Sequence, residues 1–326
     1  DRASINYTRW QNNWYHRDGR PLPGTPDLAK FDERLIAQGL ALGAPVFIRI
    51  FKLESELEIW MQKDSRYRKF ATYPICLWSG RLGPKLREGD RQSPEGFYAV
   101  TKEELNPNSR WHRAFNLGFP NAYDESLKRD GSYILVHGGC SSVGCFAMTD
   151  AVILEIFQLT SAALRGGQSY VPVHVFPFRM TDESLAKHRD DEWSDFWANL
   201  KEGYDSFERT KRPPVVSVCQ GRYVIEDAPS PQEAGSSPPL AVCGETAARI
   251  LAFNGSAWLV PLQSPPTPAS ALPASLTAQD LLSPEPSPEV PEDHPRKPLK
   301  PGMIPGAVVA TEQIQAPWPA ATTSLQ

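Results

Sequence analysis

The stretch Gly131-Ser-Tyr-Ile-Leu-Val-His-Gly-Gly-Cys-Ser-Ser-Val-Gly-Cys-Phe-Ala-Met-Thr-Asp150 joins a short apolar run to a glycine-rich turn and then to a helix-like segment. His137 directly follows the apolar run, and Cys145 stands eight positions after it. Apolar residues recur beyond Thr149, which can cap a helix through its hydroxyl. The stretch therefore predicts a strand, a turn that carries an imidazole and thiols, and a helix.

The residues of this turn suit nucleophilic catalysis. A thiolate is a far better nucleophile than a thiol, and a nearby imidazole or helix N-terminus favours the thiolate. Gly138, Gly139 and Gly144 allow a tight turn and can bring bare N–H groups close to a reacting carbonyl. The pattern predicts acyl transfer through a thioester on Cys145, with His137 as its base.

Two simpler interpretations stay open at this point. The cysteines and the histidine can simply pack in a core, where free cysteines are common. Alternatively, His137, Cys140 and Cys145 are three soft or borderline ligands for a structural zinc site, which requires four ligands. Candidates for the fourth ligand are scattered through the chain, namely Cys76, His112, His174 and Cys219.

Several separate motifs resemble the L,D-transpeptidase catalytic domain (YkuD-type) family. Ser142-Val-Gly-Cys145 resembles its Ser-His-Gly-Cys signature, and the longer stretch is most similar to the murein L,D-transpeptidase-like branch of Gram-negative bacteria. The resemblance covers about Gly43 to Ile225. Three further segments match it in order and spacing: Gly83–Asp90, Ser93–Tyr98 and Phe119–Tyr123.

The resemblance implies a role for each matching residue. Cys145 matches the nucleophile, His137 the general acid and base, and the N–H groups of Gly144 and Cys145 the oxyanion hole. A backbone carbonyl in Gly138-Gly139 is the expected partner that orients the imidazole. Arg81 and Lys85 are expected to bind carboxylates of the substrate. No cofactor and no metal are expected.

The implied reaction is attack on a peptidoglycan peptide stem at diaminopimelate, followed by transfer to an amine that creates a cross-link or a protein anchor. The signature histidine is Val143 here, the usual arginine two positions after the nucleophile is Ala147, and the His-to-Cys spacing is short. These departures fit a branch that includes hydrolase-like members. A hydrolase that releases an outer-membrane protein or lipoprotein from peptidoglycan, and an idle peptidoglycan-binding module, therefore remain alternatives.

The composition limits the class of partner and the compartment. The chain has 326 residues and a net charge of −4, with mixed charges that give no case for nucleic acid binding. The family implies a periplasmic enzyme whose leader has been removed. Five cysteines leave at least one thiol unpaired, and Cys145 is the expected one. A Cys219–Cys243 bridge and redox control through Cys140 are further hypotheses.

The expected fold is α+β, a mixed β-sandwich of the L,D-transpeptidase type with appended helices. Fourteen of the 32 prolines fall in 264–326, which predicts a disordered tail. The predicted divisions are a lead and helix at 1–42, a catalytic domain at 43–225, a linker with a short docked segment at 226–263, and the tail.

Local patterns predict individual elements within these divisions. Residues 1–25 are expected to be irregular, and a helix is expected from Pro26 to Gln38 with Gly39 as its stop. Val46–Phe51 and Leu57–Met61 predict a β-hairpin. One continuous helix is expected from Asp182 to Glu208, where aromatic residues recur at helical spacing.

Overall fold

The computed structural model describes residues 1–230 and 240–242. The helices are α1 (Arg2–Arg17), α2 (Phe31–Gln38), α3 (Ala122–Ser126), α4 (Asp150–Arg165), α5 (Asp182–Lys187) and α6 (Ser194–Thr210), with one 3-10 turn at Leu28–Lys30. The strands are β1 (Val46–Phe51), β2 (Glu56–Lys63), β3 (Arg66–Pro74), β4 (Leu77–Trp78), β5 (Gly96–Val100), β6 (Leu105–Asn106), β7 (Ala114–Asn116), β8 (Leu135–His137), β9 (Phe146–Ala147), β10 (Val171–Phe176), β11 (Val215–Cys219), β12 (Arg222–Glu226) and β13 (Ala241–Val242). No helix in these ranges is long and apolar enough to cross a bilayer.

The first sheet has the order β3-β2-β1-β10-β5 and is buried on both faces at its centre. Strand β1 pairs in parallel with β10 and antiparallel with β2, so the sheet is mixed. Every residue of β1 is buried. Ile48 and Ile50 face a core shared with α4, whereas Phe47 packs against Phe207 of α6. Because both faces are covered, every residue of β1 except Arg49 is apolar.

The second sheet has the order β4-β9-β8-β7-β6 and positions the glycine-rich turn. Strands β8 and β9 are parallel, while the other pairs in this sheet are antiparallel. Phe115, Val136 and Phe146 of this sheet share one core with Ile48 and Val173 of the first sheet. The two mixed sheets therefore pack through a common core, and the α+β prediction is confirmed. A third, three-stranded sheet has the order β12-β11-β13.

Local signals in the sequence located several elements correctly. The predicted hairpin is present as β1 and β2, with Ile48 opposite Ile59. Helix α2 ends at Gly39, whose φ of 62° is the left-handed conformation that glycine favours. Thr149 caps α4 by accepting a hydrogen bond from the Val152 N–H.

The expectation of an irregular lead at 1–25 was wrong, because residues Arg2–Arg17 form α1. This helix is held mainly by polar side chains that reach main-chain groups. Arg9 donates to the Gly80 carbonyl and Asn12 to the Ile75 carbonyl, each at 2.9 Å. Its aromatic residues recur at helical spacing, but they are exposed and do not form the buried apolar face from which a helix is usually predicted.

The expected continuous helix from Asp182 to Glu208 was also wrong. The segment forms two helices, α5 and α6, separated by a turn. In that turn the Asp191 side chain accepts a hydrogen bond from the Trp193 N–H at 3.0 Å, and the Asp191 carbonyl accepts one from the Ser194 N–H at 3.1 Å. An aspartate that bonds the backbone two residues later competes with helix continuation.

The predicted linker and docked segment at 226–263 lie largely outside the described residues. The predicted disordered tail at 264–326 lies entirely outside them.

Candidate active site

The parallel pairing of β8 and β9 brings His137 and Cys145 onto neighbouring segments of the second sheet. The register aligns His137 with Ala147 and Val136 with Phe146. Continuing it by one residue aligns Leu135 with Cys145, and the Leu135 N–H points to the Cys145 Sγ at 3.4 Å. By this register Cys145 directly precedes β9 and lies diagonally opposite His137, with its thiol against the backbone of the β8 segment.

His137 is held in a single orientation by its own turn. Its side chain is only 2% exposed, and Nδ1 lies 2.5 Å from the Gly138 carbonyl oxygen. A carbonyl can only accept, so Nδ1 carries the proton and Nε2 keeps its lone pair. Burial lowers the pKa of His137, and the Gly138 carbonyl opposes this in part. The neutral ring is thus the resting form at neutral pH, as a proton acceptor requires.

Cys145 is the single free cysteine among residues 1–230 and 240–242, and it is half-buried. The thiol donates to the Tyr133 carbonyl at 3.6 Å. Burial raises the pKa of Cys145, while the Leu135 N–H and the charge of Lys85 lower it in part. Both shifts favour the neutral thiol and the neutral imidazole over a thiolate–imidazolium pair.

The glycines of the turn allow close contacts that no other residue permits. The Gly139 N–H donates to Asp150 Oδ1 at 2.8 Å, which fastens the turn to the first residue of α4. A Cβ on Gly138 would lie 2.6 Å from the same Asp150 oxygen and 2.9 Å from the Trp111 carbonyl. The Trp111 indole also lies beside the His137 ring, with centroids 5.6 Å apart. Glycine at 138 therefore brings the backbone against both neighbours.

Gly144 presents its N–H next to the nucleophile. Its φ of 134° is open to glycine alone. The N–H donates to Ser142 Oγ at 3.2 Å, and the same hydroxyl donates to the Cys145 carbonyl at 2.6 Å. Ser93 Oγ donates to that carbonyl as well, at 3.2 Å. Two serines thus fix the backbone of the nucleophile, and the long bond to Gly144 is one that a developing oxyanion could replace.

A disulfide joins Cys140 of the turn to Cys76, which lies between β3 and β4. This pairing corrects two expectations for Cys140. It is not a plainly packed thiol, and it cannot act as a thiolate in a zinc site with His137 and Cys145. Cys219 is also disulfide-bonded, while Cys243 of the hypothetical Cys219–Cys243 bridge lies outside the described residues.

Arg81 and Lys85, the predicted substrate-binding residues, lie in different environments. The Arg81 side chain is 81% exposed and pairs with Glu192 at 3.2 Å. The Lys85 ammonium is buried and donates to Asp90 Oδ1 at 2.6 Å and to the Arg87 carbonyl at 2.8 Å. Lys85 is close enough to Cys145 to lower the pKa of the thiol.

A cavity of about 270 Å³ lies beside these side chains and is lined by Arg81, Arg87, Gln92 and Trp193, among others. The carbonyl oxygen of Gln92 would lie 3.6 Å from a Cβ on Gly144. Gln92 thus contacts both the cavity and the backbone next to Cys145.

Sequence reasoning missed Ser79, Ser93, Trp111 and Cys76 as parts of this site. Ser79 lies 3.1 Å from Ser142 through their hydroxyls, and its N–H donates to Ser93 Oγ at the same distance. Each of these residues is far from the turn in sequence. Ser93 alone had a signal, since it opens one of the matching family segments.

Comparisons with known proteins agree with this geometry. The family model of the L,D-transpeptidase catalytic domain (YkuD) matches residues 47–175. The chain is 50% identical over 184 residues to "Putative L,D-transpeptidase YafK" of Escherichia coli K12, covering 56% of this chain and 75% of that protein. The YafK protein of strain O157:H7 gives the same values.

Among solved structures, the helical cell shape determining protein Pgp2 of Campylobacter jejuni is 19% identical, with a TM-score of 0.34 over 56% of this chain and 68% of that one. Bd1075 of Bdellovibrio bacteriovorus is 18% identical, with a TM-score of 0.30 over 52% and 61%. The YafK protein identifies the family, because it is 50% identical and the match covers 75% of its length. The chain belongs to the L,D-transpeptidase catalytic domain (YkuD) family.

Proposed function

We propose that this protein is a periplasmic cysteine L,D-transpeptidase that acts on the peptide stems of peptidoglycan. The observation that carries the proposal is the placement of Cys145 and His137 diagonally across neighbouring strand segments, with Nδ1 of the imidazole held by the Gly138 carbonyl. This arrangement leaves Nε2 on the side of the ring away from that carbonyl, ready to accept a proton.

The proposed reaction has two steps through one thioester. Nε2 of His137 takes the thiol proton while Cys145 Sγ bonds to the stem carbonyl carbon at diaminopimelate. The oxyanion accepts hydrogen bonds from the N–H groups of Gly144 and Cys145. The C–N bond then breaks, and His137 returns its proton to the leaving amine. An acceptor amine next attacks the thioester, loses a proton to His137, and releases the Cys145 thiolate, which takes that proton back.

Substrate recognition is assigned to the cavity that Gln92 lines. Arg81 and Arg87 supply two cations there, and peptide stems of peptidoglycan carry free carboxylates. Trp193 provides a flat apolar wall. Lys85 is already paired with Asp90, so its proposed role is to hold this loop and to add positive charge near the thiol.

The same acyl-enzyme can be resolved by water, which would make the protein a hydrolase that detaches an outer-membrane protein or lipoprotein. The absence of the signature histidine and arginine, replaced by Val143 and Ala147, is the observation that supports this second candidate. The division into a lead at 1–42, a catalytic domain at 43–225 and segments beyond it belongs to this proposal as well.

The test is intact-mass analysis of the full chain with tetrapeptide muropeptides and with lipoprotein-linked muropeptides. Cys145→Ala is the inactive variant, and Ser126→Ala, a hydroxyl deletion on α3, is the matched control. Cross-linked product that needs Cys145 would establish transpeptidation. Released lipoprotein or a shortened stem without an amine adduct would establish hydrolysis. The absence of both turnover and an adduct on Cys145 would overturn the thioester mechanism and favour an idle binding module.

A further inference from the structure

Helix α1 presents three large aromatic side chains to solvent. Tyr7, Trp10 and Trp14 are 60%, 64% and 50% exposed. Their spacing of three and four residues places them along one side of the helix, which we call the aromatic stripe. The other side attaches the helix to the domain through buried Ile5 and Asn12. Exposed aromatic clusters of this kind mark interaction sites.

The side chains around the stripe have the chemistry of a site for a polar ligand with flat apolar faces. A concavity of about 310 Å³ is lined by Trp10, Asn13, Trp14, Arg17 and Asp18. It therefore combines two indoles with an amide, a guanidinium and a carboxylate, and it contains no aliphatic side chain. Indoles stack on the C–H faces of sugar rings, and amides and charged groups pair with hydroxyl and acetamido groups.

The charge of the helix favours a polymer that carries carboxylates, as peptidoglycan does on its peptide stems. From Arg2 to Arg17 the helix carries three arginines and no aspartate or glutamate, although the whole chain has a net charge of −4. A membrane surface shares this complementarity. Tryptophan and tyrosine occur at membrane interfaces too. The concavity beside the stripe, however, is lined by an amide, a guanidinium and a carboxylate, which favours a polar ligand over acyl chains.

Helix α1, which carries the stripe, is attached next to the candidate active site. Arg9 of the same helix donates to the Gly80 carbonyl at 2.9 Å and lies over the Trp78 ring at 4.3 Å. Trp78 belongs to β4, which pairs with β9 next to Cys145. A ring nitrogen of His16, in the last turn of α1, lies within 4.8 Å of the Cys140 sulfur in the glycine-rich turn.

We propose that the aromatic stripe binds the glycan strand of peptidoglycan, a chain of N-acetylated amino sugars, beside the stem that Cys145 attacks. This inference rests on the proposed function for the identity of the polymer. The stripe lies outside the residues 47–175 that match the family model. It would anchor the strand while the stem enters the site, so that substrate bound to a strand is held better than a free stem.

The test measures binding of the full chain, carrying Cys145→Ala, to glycan strands from which all peptide stems have been removed. Trp10→Ala/Trp14→Ala is expected to weaken this binding about ten-fold or more. Ile36→Ala, which truncates a side chain that is 77% exposed on α2, is the matched control and is expected to bind normally. Equal binding by the double variant would overturn the inference. The inference would also be overturned if glycan strands bound too weakly to measure while phosphatidylglycerol vesicles bound in a way that depends on the stripe.

A second measurement separates this inference from the proposed function. With Cys145 intact, the double variant is expected to turn over a free tetrapeptide stem normally and to process stems on glycan strands about ten-fold more slowly at low substrate concentration. If the double variant and the wild-type chain have equal rates on each substrate, the proposed glycan binding by the stripe is refuted, whereas the thioester mechanism is unaffected. If the wild-type chain turns over neither substrate, the proposed function fails, and strand binding still decides the role of the stripe.

Discussion

Lys52 and Glu95 form an ion pair with both side chains fully buried, and we expect it to be essential for the loop beside Cys145. The ammonium and the carboxylate are 2.9 Å apart. Lys52 also donates to the carbonyls of Gly83, at 2.8 Å, and Ser93, at 2.9 Å. Its three donors are therefore all used, and two of them hold the backbone that leads to the site.

Lys52→Met keeps the length of the side chain but removes all three hydrogen bonds and leaves Glu95 without its cation. Glu95 still accepts from the Gly83 N–H and from the Trp197 indole, both at 2.7 Å. Removing one partner of a buried pair typically costs about 3–5 kcal/mol, because the other charge stays buried. We expect a decrease of this size in the free energy of unfolding, and Lys52→Met/Glu95→Gln should recover part of it.

The assay is urea denaturation followed by tryptophan fluorescence, with the alkylation rate of Cys145 measured on the same samples. Lys187→Met is the matched control, because Lys187 forms an exposed pair with Glu183 on α5 and should leave the midpoint unchanged. Alkylation should change in Lys52→Met even where the protein is folded, since the Ser93 hydroxyl supports the Cys145 carbonyl. A loss below about 1 kcal/mol for Lys52→Met would refute the reasoning.

Three further predictions concern titration and the disulfide. The alkylation rate of Cys145 by iodoacetamide should still rise above about pH 8.5, because burial raises the thiol pKa and lowers that of His137; a plateau near neutral pH would instead indicate a thiolate–imidazolium pair. Cys76→Ser/Cys140→Ser should lower the free energy of unfolding by about 4 kcal/mol, since the bridge closes a loop with a sequence separation of 64, and unchanged urea denaturation would contradict this. Burial keeps the pKa of His174 well below its ordinary value, so the unfolded chain gains a proton that the folded chain does not, and stability should fall as the pH drops below about 6.5. In His174→Leu, the urea midpoint should therefore decrease less between about pH 7.5 and 5.5 than it does in the wild-type chain. An equal decrease in both proteins would show that other groups cause the loss of stability.

Elements with a strong local signal were predictable from the sequence. The β1–β2 hairpin has alternating residues and an apolar central strand, Gly39 adopts the left-handed conformation that ends α2, and Thr149 caps α4 through its own hydroxyl. In each case the interactions that define the element lie within a few residues of one another. The break between α5 and α6 lacked such a signal, because polar contacts in the turn decided it. Helix α1 has aromatic residues at helical spacing, but they stay exposed, and a polar contact distant in sequence helps to attach the helix.

In the candidate site, too, the sequence determined some features and the tertiary structure decided the others. His137 and Cys145 are eight positions apart on one turn, so the sequence determined the pair, the glycines between them and the family to which they belong. Only the tertiary structure decided what holds the pair. Ser93 supports the Cys145 carbonyl from 52 positions away, and Cys76 is bonded to Cys140 across 64. Hydrogen bonds and disulfides between distant segments depend on how the sheets pair and pack, which no local pattern of residue types encodes.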